Sequence, residues 1–112
     1  MKFIFEELIS FGKKNCHGEY RILTNPSQIL NFKVKNKFFL LTPFLFPDYV
    51  LLFPKIEAIL TVEGSILSHL AILCREYKIP VLKIKNVLRE IPEEGVLTID
   101  YKNKLIKLTN EK

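Results

Sequence analysis

The sequence contains no tryptophan, one methionine and four glycines, and only two cysteines and two histidines in 112 residues. Each scarcity narrows what the chain can be. Cys16 and Cys74 are far apart and neither belongs to a CxxC pair, which argues against a dithiol redox site or a zinc ribbon. The adjacent Cys16 and His17 have no second ligand pair at zinc spacing, so no metal site is expected. No apolar run is long enough to cross a bilayer. The opening segment, residues 1–11, starts with a single basic residue, Lys2, and is interrupted by Glu6 and Glu7. No small-residue cleavage pattern follows, so it reads as a short lead-in rather than a targeting signal, and a cytoplasmic location with reduced thiols is expected.

What is present is enough for one core. Apolar residues make up 48% of the chain, in the range of a globular domain rather than a disordered one. The length suits a single domain, taken as 12–112 after the lead-in. The formal charge is +5. The lysines are spread, at Lys13 and Lys14, Lys33 to Lys37, Lys83 and Lys85, and Lys102 to Lys107, and alternate with apolar residues as on the outer face of strands. That pattern reads as a solvated surface. With no basic and aromatic motif of an RNA-binding sheet, neither a nucleic acid nor a membrane is expected as partner.

Along the chain, Phe3, Ile4, Phe5, Leu8 and Ile9 suggest a short helix. Residues 19–23 read as a strand, and Asn25, Pro26 and Ser27 as a turn opening one helical turn. Residues 33–42 are β-rich. Pro47 and Asp48 suit the first turn of a short helix through Phe53. A strand over 57–61 breaks at Glu63, Gly64 and Ser65, and a helix follows over 66–77, with Leu67, Leu70, Ala71 and Cys74 at helical spacing. Pro80 ends it. A strand over 79–82 and a hairpin with strands at 96–101 and 104–108 close the chain. Strands and helices mix without a strict βαβ repeat, so the expected class is α+β.

The stretch from Ala58 to Leu82 carries the chemistry. A strand enters a glycine-containing loop, and Ser68 and His69 then occupy the first turns of a helix. The first N–H groups of a helix lack internal acceptors, and with the helix dipole they favour an anion. A phosphoryl group on His69 would sit near those donors. Gly64 would let the backbone approach it, and the Ser65 and Ser68 hydroxyls could add hydrogen bonds. Only a neutral imidazole has a lone pair free to attack phosphorus.

Thr61, Glu63, Gly64, Ser68, His69, Ala71, Ile72, Arg75, Glu76, Ile79 and Pro80 stand at the spacing of a family signature, roughly T-E-x-G-G, then S-H-x-A-I-x-A-R-E and I-P. The chain resembles the mobile, phosphohistidine-bearing swivelling domain of phosphoenolpyruvate-utilising enzymes such as phosphoenolpyruvate synthase, pyruvate phosphate dikinase and enzyme I of the sugar phosphotransferase system. Weaker matches extend outward through Thr42, Pro43, Pro47 and Asp48, and through Gly95 to Asp100.

The resemblance implies a stand-alone swivelling β/β/α domain with a compact mixed β-core and flanking short helices. It implies a phosphoryl carrier, a phosphotransferase component, with His69 as the catalytic residue. Glu63, Gly64, Ser65 and Ser68 would support the phosphate loop, with Thr61 and Arg75 as further candidates. Arg75 lies about 240° around the helix from His69, away from a phosphate carried there. No cofactor would be bound by the chain itself. ATP, Mg and phosphoenolpyruvate or pyruvate would belong to separate nucleotide-binding and phosphoenolpyruvate-binding proteins acting in trans.

Ser65 departs from the signature, standing where its second glycine is expected, and would strain the loop if that position needed a positive φ. Val62 stands where a glutamate is usual, Cys74 where a small residue is, Lys83 and Ile84 where a glycine is, and Tyr101 and Lys104 replace hairpin glycines. These departures leave a second reading, a regulatory or docking module that keeps the fold and is not phosphorylated.

Overall fold

Alternating burial along the strands builds this molecule. The computed structural model describes residues 1–12 and 14–109. Seven strands form one closed barrel: β1 (Lys2–Ile9), β2 (Cys16–Ile22), β3 (Phe38–Thr42), β4 (Ile56–Thr61), β5 (Val81–Ile84), β6 (Glu94–Asp100) and β7 (Leu105–Thr109). Around the barrel the order is β1, β5, β4, β3, β2, β6, β7 and back to β1. Strands β2 to β5 run parallel, while β1, β6 and β7 are joined to their neighbours antiparallel. One α-helix, α1 (His69–Glu76), and two 3₁₀ segments, Pro26–Asn31 and Pro47–Lys55, lie outside the strands.

The two faces of β3, β4 and β5 belong to two apolar layers. Phe39, Leu41, Ala58, Leu60, Leu82 and Ile84 point into the barrel, where they meet Phe3, Phe5, Tyr20, Leu97, Ile99 and Ile106. The alternate residues Phe38, Leu40, Ile59 and Val81 face outward, under Leu70, Ala71 and Cys74 of α1 and Tyr49, Leu52 and Phe53 of the second 3₁₀ segment. This is why β3 reads as an unbroken apolar run. A parallel strand covered on both sides has no solvent face to be polar.

Two expectations are corrected. The α+β swivelling β/β/α class gives way to a closed mixed barrel, mostly strand with little helix. The short helix expected near the start is β1, whose burial alternates so that Phe3, Phe5 and Ile9 are buried while Ile4 is 70% exposed. Period two, not 3.6, governs those residues. The segment set apart as a lead-in therefore supplies the stave that pairs with both β5 and β7 and closes the barrel.

Candidate functional site

The parallel strands β2 to β5 present their carboxyl ends at one end of the barrel, and two connecting loops meet there. One follows β3 and runs through Pro43 to Phe46. The other follows β4 and runs from Val62 to Ser68 into α1. They are tied together by main-chain bonds, Val62 N–H to the Thr42 carbonyl at 3.1 Å and Glu63 N–H to the Pro43 carbonyl at 2.9 Å. Each is also tied to its own strand. Thr42 and Thr61 are fully buried, and their hydroxyls donate to the carbonyls of Phe44 at 3.0 Å and Glu63 at 2.6 Å.

Thr42 is held in turn by Tyr49, whose hydroxyl lies 2.8 Å from Thr42 Oγ1 and 3.1 Å from the Leu23 carbonyl. Burial holds the Tyr49 phenol above its ordinary value; the Thr42 hydrogen bond opposes this and the Asp48 carboxylate adds to it.

The turn into α1 is built by two serines. Ser65 Oγ accepts from Leu67 N–H at 3.1 Å, and Ser68 N–H donates to the Ser65 carbonyl at 3.0 Å. Ser68 is the N-cap, its Oγ accepting from Ala71 N–H at 3.1 Å while its carbonyl accepts from Ile72 N–H. The N–H groups of His69 and Leu70 have no acceptor among the described residues, as the first turn of a helix requires. His69 is the first residue of α1 and its side chain is exposed, with no hydrogen bond or ion pair to a described residue. Helix α1 itself is anchored by the buried Leu70, Ala71 and Cys74, so the imidazole projects from a fixed base.

The other expected site residues fall in several places. Thr61, Glu63, Gly64, Ser65, Ser68 and His69 share the loop and helix start. Gly64 has no left-handed φ; its lack of a side chain serves packing, because a Cβ there would lie 2.9 Å from Leu45 Cδ1 and 3.1 Å from Thr61 Cγ2. Ser65 also avoids positive φ, which among the described residues is confined to Gly12, Lys78 and Lys104. The glutamate side chain of Glu63 is exposed, and its backbone does the bonding. Arg75 lies exposed in the last turn of α1, where a cation suits the helix dipole. Thr42, Leu45 and Tyr49 were not anticipated as supports. The signal for Thr42 was available, since both β3 and β4 end in a threonine followed by an irregular loop. No group of three or more His, Cys, Asp or Glu among the described residues could hold a metal ion. No described helix is long and apolar enough to cross a membrane.

A barrel that presents an exposed histidine at the start of a helix, over two laced loops, defines the class of site. The family model described as PEP-utilising enzyme, mobile domain, matches residues 34–104, and the chain belongs to that family. No curated protein matches the sequence. Among solved structures, a UPF0107 protein determined by solution NMR matches at a TM-score of 0.64 and 12% identity, over 97% of this chain and 99% of its own. The holo-form of aconitase X from Thermococcus kodakaraensis matches at 0.63 and 12%, over 97% and 98%. MccF in complex with glutamyl sulfamoyl guanosine matches at 0.58 and 13%, over 96% of this chain and 42% of its own. At such identity these are likenesses of fold alone. The narrower expectation of a stand-alone phosphohistidine swivelling domain is corrected as well, for this chain is a closed seven-stranded barrel and the solved structures named here carry other names.

Proposed function

We propose that the chain is a phosphoryl carrier, with His69 receiving a phosphoryl group and passing it on. The observation that carries this reading is the exposed imidazole at the first position of α1, beside unsatisfied N–H groups and two serines, inside the segment matched by the family model. In the forward step a ring nitrogen of neutral His69, Nε2 by resemblance to the family, attacks phosphorus. The N–P bond forms as the P–O bond to the donor breaks, and the donor oxygen leaves with the electron pair. The return step reverses this at a second site. The nucleotide with its Mg and the phosphoenolpyruvate or pyruvate would be held outside these 112 residues, and this chain supplies the nucleophile and the anion-favouring helix start.

The second reading, a docking module without phosphorylation, rests on several departures from the signature, of which Ser65 lies in the phosphate loop. The serine sits at an ordinary φ and caps Leu67, so the replacement leaves the loop unstrained. That removes one ground for the second reading, and the retained Ser68 and His69 favour the carrier.

The test uses the two histidines of the chain against each other. His17 is exposed on β2 and away from any helix start. The protein is treated with phosphoramidate, a small chemical phosphoryl donor, and separately with labelled phosphoenolpyruvate or β-labelled ATP plus candidate partner enzymes. Acid-labile, alkali-stable label is expected on His69, lost in His69→Ala and kept in His17→Ala. Label distributed equally over both histidines under phosphoramidate, together with none from any enzymatic donor, would remove the reading.

A further inference from the structure

The barrel topology sorts the charge of this chain onto one end. Strands β2 to β5 all start at the end away from the His69 loop, so the segments that lead into them are gathered there, together with the turn between β6 and β7. The segment before β3 brings Lys33, Lys35 and Lys37. The β6–β7 turn brings Lys102 and Lys104. Lys14, Lys55 and Lys78 come from the segments before β2, β4 and β5.

All eight lysines are exposed. Lys55 Nζ donates to the Lys35 carbonyl at 3.1 Å and pins the lysine-rich segment over the start of β4. The connecting segments 10–15, 33–37, 77–80 and 101–104 contain no Asp or Glu. The carboxylates that border these segments are Glu57, Glu76 and Asp100, three against eight lysines, and Asp100 is occupied by Asn103 and Asn15. None of the eight is in an ion pair among the described residues. The ion pair present, Arg21 with Glu94 at 3.2 Å, lies at the other end. There the loops carry Asp48, Glu63, Glu90 and Glu93 against Lys85 and Arg89. Among the described residues the positive charge is thus concentrated at one end rather than spread over the whole surface.

Like charges held together without partners repel one another and cost stability, which a complementary anionic surface would offset. We propose that this lysine-rich end is a docking face for the acidic surface of a protein partner, leaving His69 free at the opposite end. Three features point to a protein. The lysines come from five segments spread around one end of the barrel, a two-dimensional array rather than the stripe that tracks a nucleic-acid backbone. They are lysines throughout, hydrated point charges suited to steering and salt-sensitive contact, without an arginine fork for gripping phosphate. Tyr77 is the one large apolar residue exposed in 10–12, 14–15, 33–37, 77–80 and 101–104, which gives a lipid surface little to bury. The choice of a protein also rests on the carrier reading, in which the other reaction sites lie on protein surfaces outside these 112 residues; the charge asymmetry does not.

The experiment is an NMR titration of the isotope-labelled full chain with poly-L-glutamate at about 0.15 M salt, where exposed charges more than roughly 8 Å apart are screened. Shifts are expected at 33–37, 77–78 and 101–104 and not at 62–69. Binding should weaken more than about tenfold in the triple variant Lys33→Glu, Lys35→Glu, Lys37→Glu, whose spectral dispersion reports that it folds. It should persist unchanged in His69→Ala, which separates this proposal from the phosphorylation reading. Shifts mapping to the His69 end, or a triple variant binding as well as wild type, would overturn it. Tighter binding at the same salt to a mixed-sequence DNA duplex, or to phosphatidylcholine vesicles containing phosphatidylserine, would replace the protein partner with a nucleic acid or a membrane.

Discussion

Thr42 and Thr61 face each other in register at the ends of the parallel strands β3 and β4, and each turns its hydroxyl onto a carbonyl two residues further along its own chain. The pair fixes both loops that meet below His69, but the two threonines are not equivalent. Thr61 has one partner, the Glu63 carbonyl, whereas Thr42 also meets the buried Tyr49 hydroxyl. Replacing a hydroxyl by a methyl group leaves its partners unbonded, at about 1 kcal/mol for a neutral bond and more when the stranded group is buried. Thr61→Val is therefore expected to lose about 1 kcal/mol of stability and Thr42→Val more. Urea unfolding of both variants, with unchanged slopes, checks the order; equal losses would mean that Tyr49 does not depend on Thr42.

Gly64 makes a different prediction from the one a phosphate loop suggests. Its backbone tolerates a side chain, but the Cβ would press on Leu45 and Thr61. Gly64→Ala should then destabilise through packing by about 1 kcal/mol, below the usual range of an overfilled core, because the site is exposed and the Leu45 tip can turn aside. Trimming the neighbour should relieve it. In a double-mutant cycle, Gly64→Ala with Leu45→Ala is expected to cost less than the sum of the single changes, by at least about 0.5 kcal/mol. Strict additivity would place the strain in the backbone instead.

The two serines of the turn separate by the same logic. Ser68 caps α1 by accepting from Ala71 N–H, and loss of an N-cap costs about 1 kcal/mol. Ser65 accepts from Leu67 in an exposed turn, where water can replace it. Ser68→Ala is expected to lower the urea midpoint clearly and Ser65→Ala only slightly. Hydrogen exchange should speed up at Ala71 in the first variant and at Leu67 in the second.

Much of the local structure was legible, and the reasons for the failures are specific. The turn at Asn25 and Pro26 and the short helical segment opened by Pro47 follow from residue chemistry close in sequence, and the described structure contains both. The helix expected over 66–77 is shorter, His69–Glu76, because Ser68 caps it, and Leu67 lies outside it, 81% exposed. The strand β1 was missed because Phe3, Ile4 and Phe5 are consecutive apolar residues, which period alone cannot assign. Ile4 turned out to be on the solvent side. With β1 misread, closure was invisible, since it depends on pairing residues 2–9 with strands some eighty to a hundred residues away. The site residues were legible as a motif. The Thr42 and Tyr49 support was not, because its bonds join Leu23, Thr42 and Tyr49 across three segments. The lysines were read as scattered along the chain, and only the topology gathers them at one end.

Burial also sets how the protein responds to alkali. Cys74 is fully buried between α1 and the outer faces of the strands, and desolvation pushes its thiol from 9.0 up to about 12. In the folded state the thiol keeps its proton where the unfolded thiol has lost it, so the unfolded state binds fewer protons over that interval. Stability must then be insensitive to this group below pH 9.0, fall as pH rises from there, and level off above about 12. Tyr20, Tyr49 and Tyr101 are raised by burial too and act in the same direction. The expected result is a steady loss of stability on the alkaline side. Urea unfolding measured across that range should show a shallower fall in Cys74→Ala, with the tyrosines supplying the remaining slope. The same burial predicts that iodoacetamide fails to modify Cys74 until the chain is unfolded. Rapid alkylation of Cys74 in the folded protein would mean that α1 lifts from the barrel, and with it the fixed base on which His69 stands.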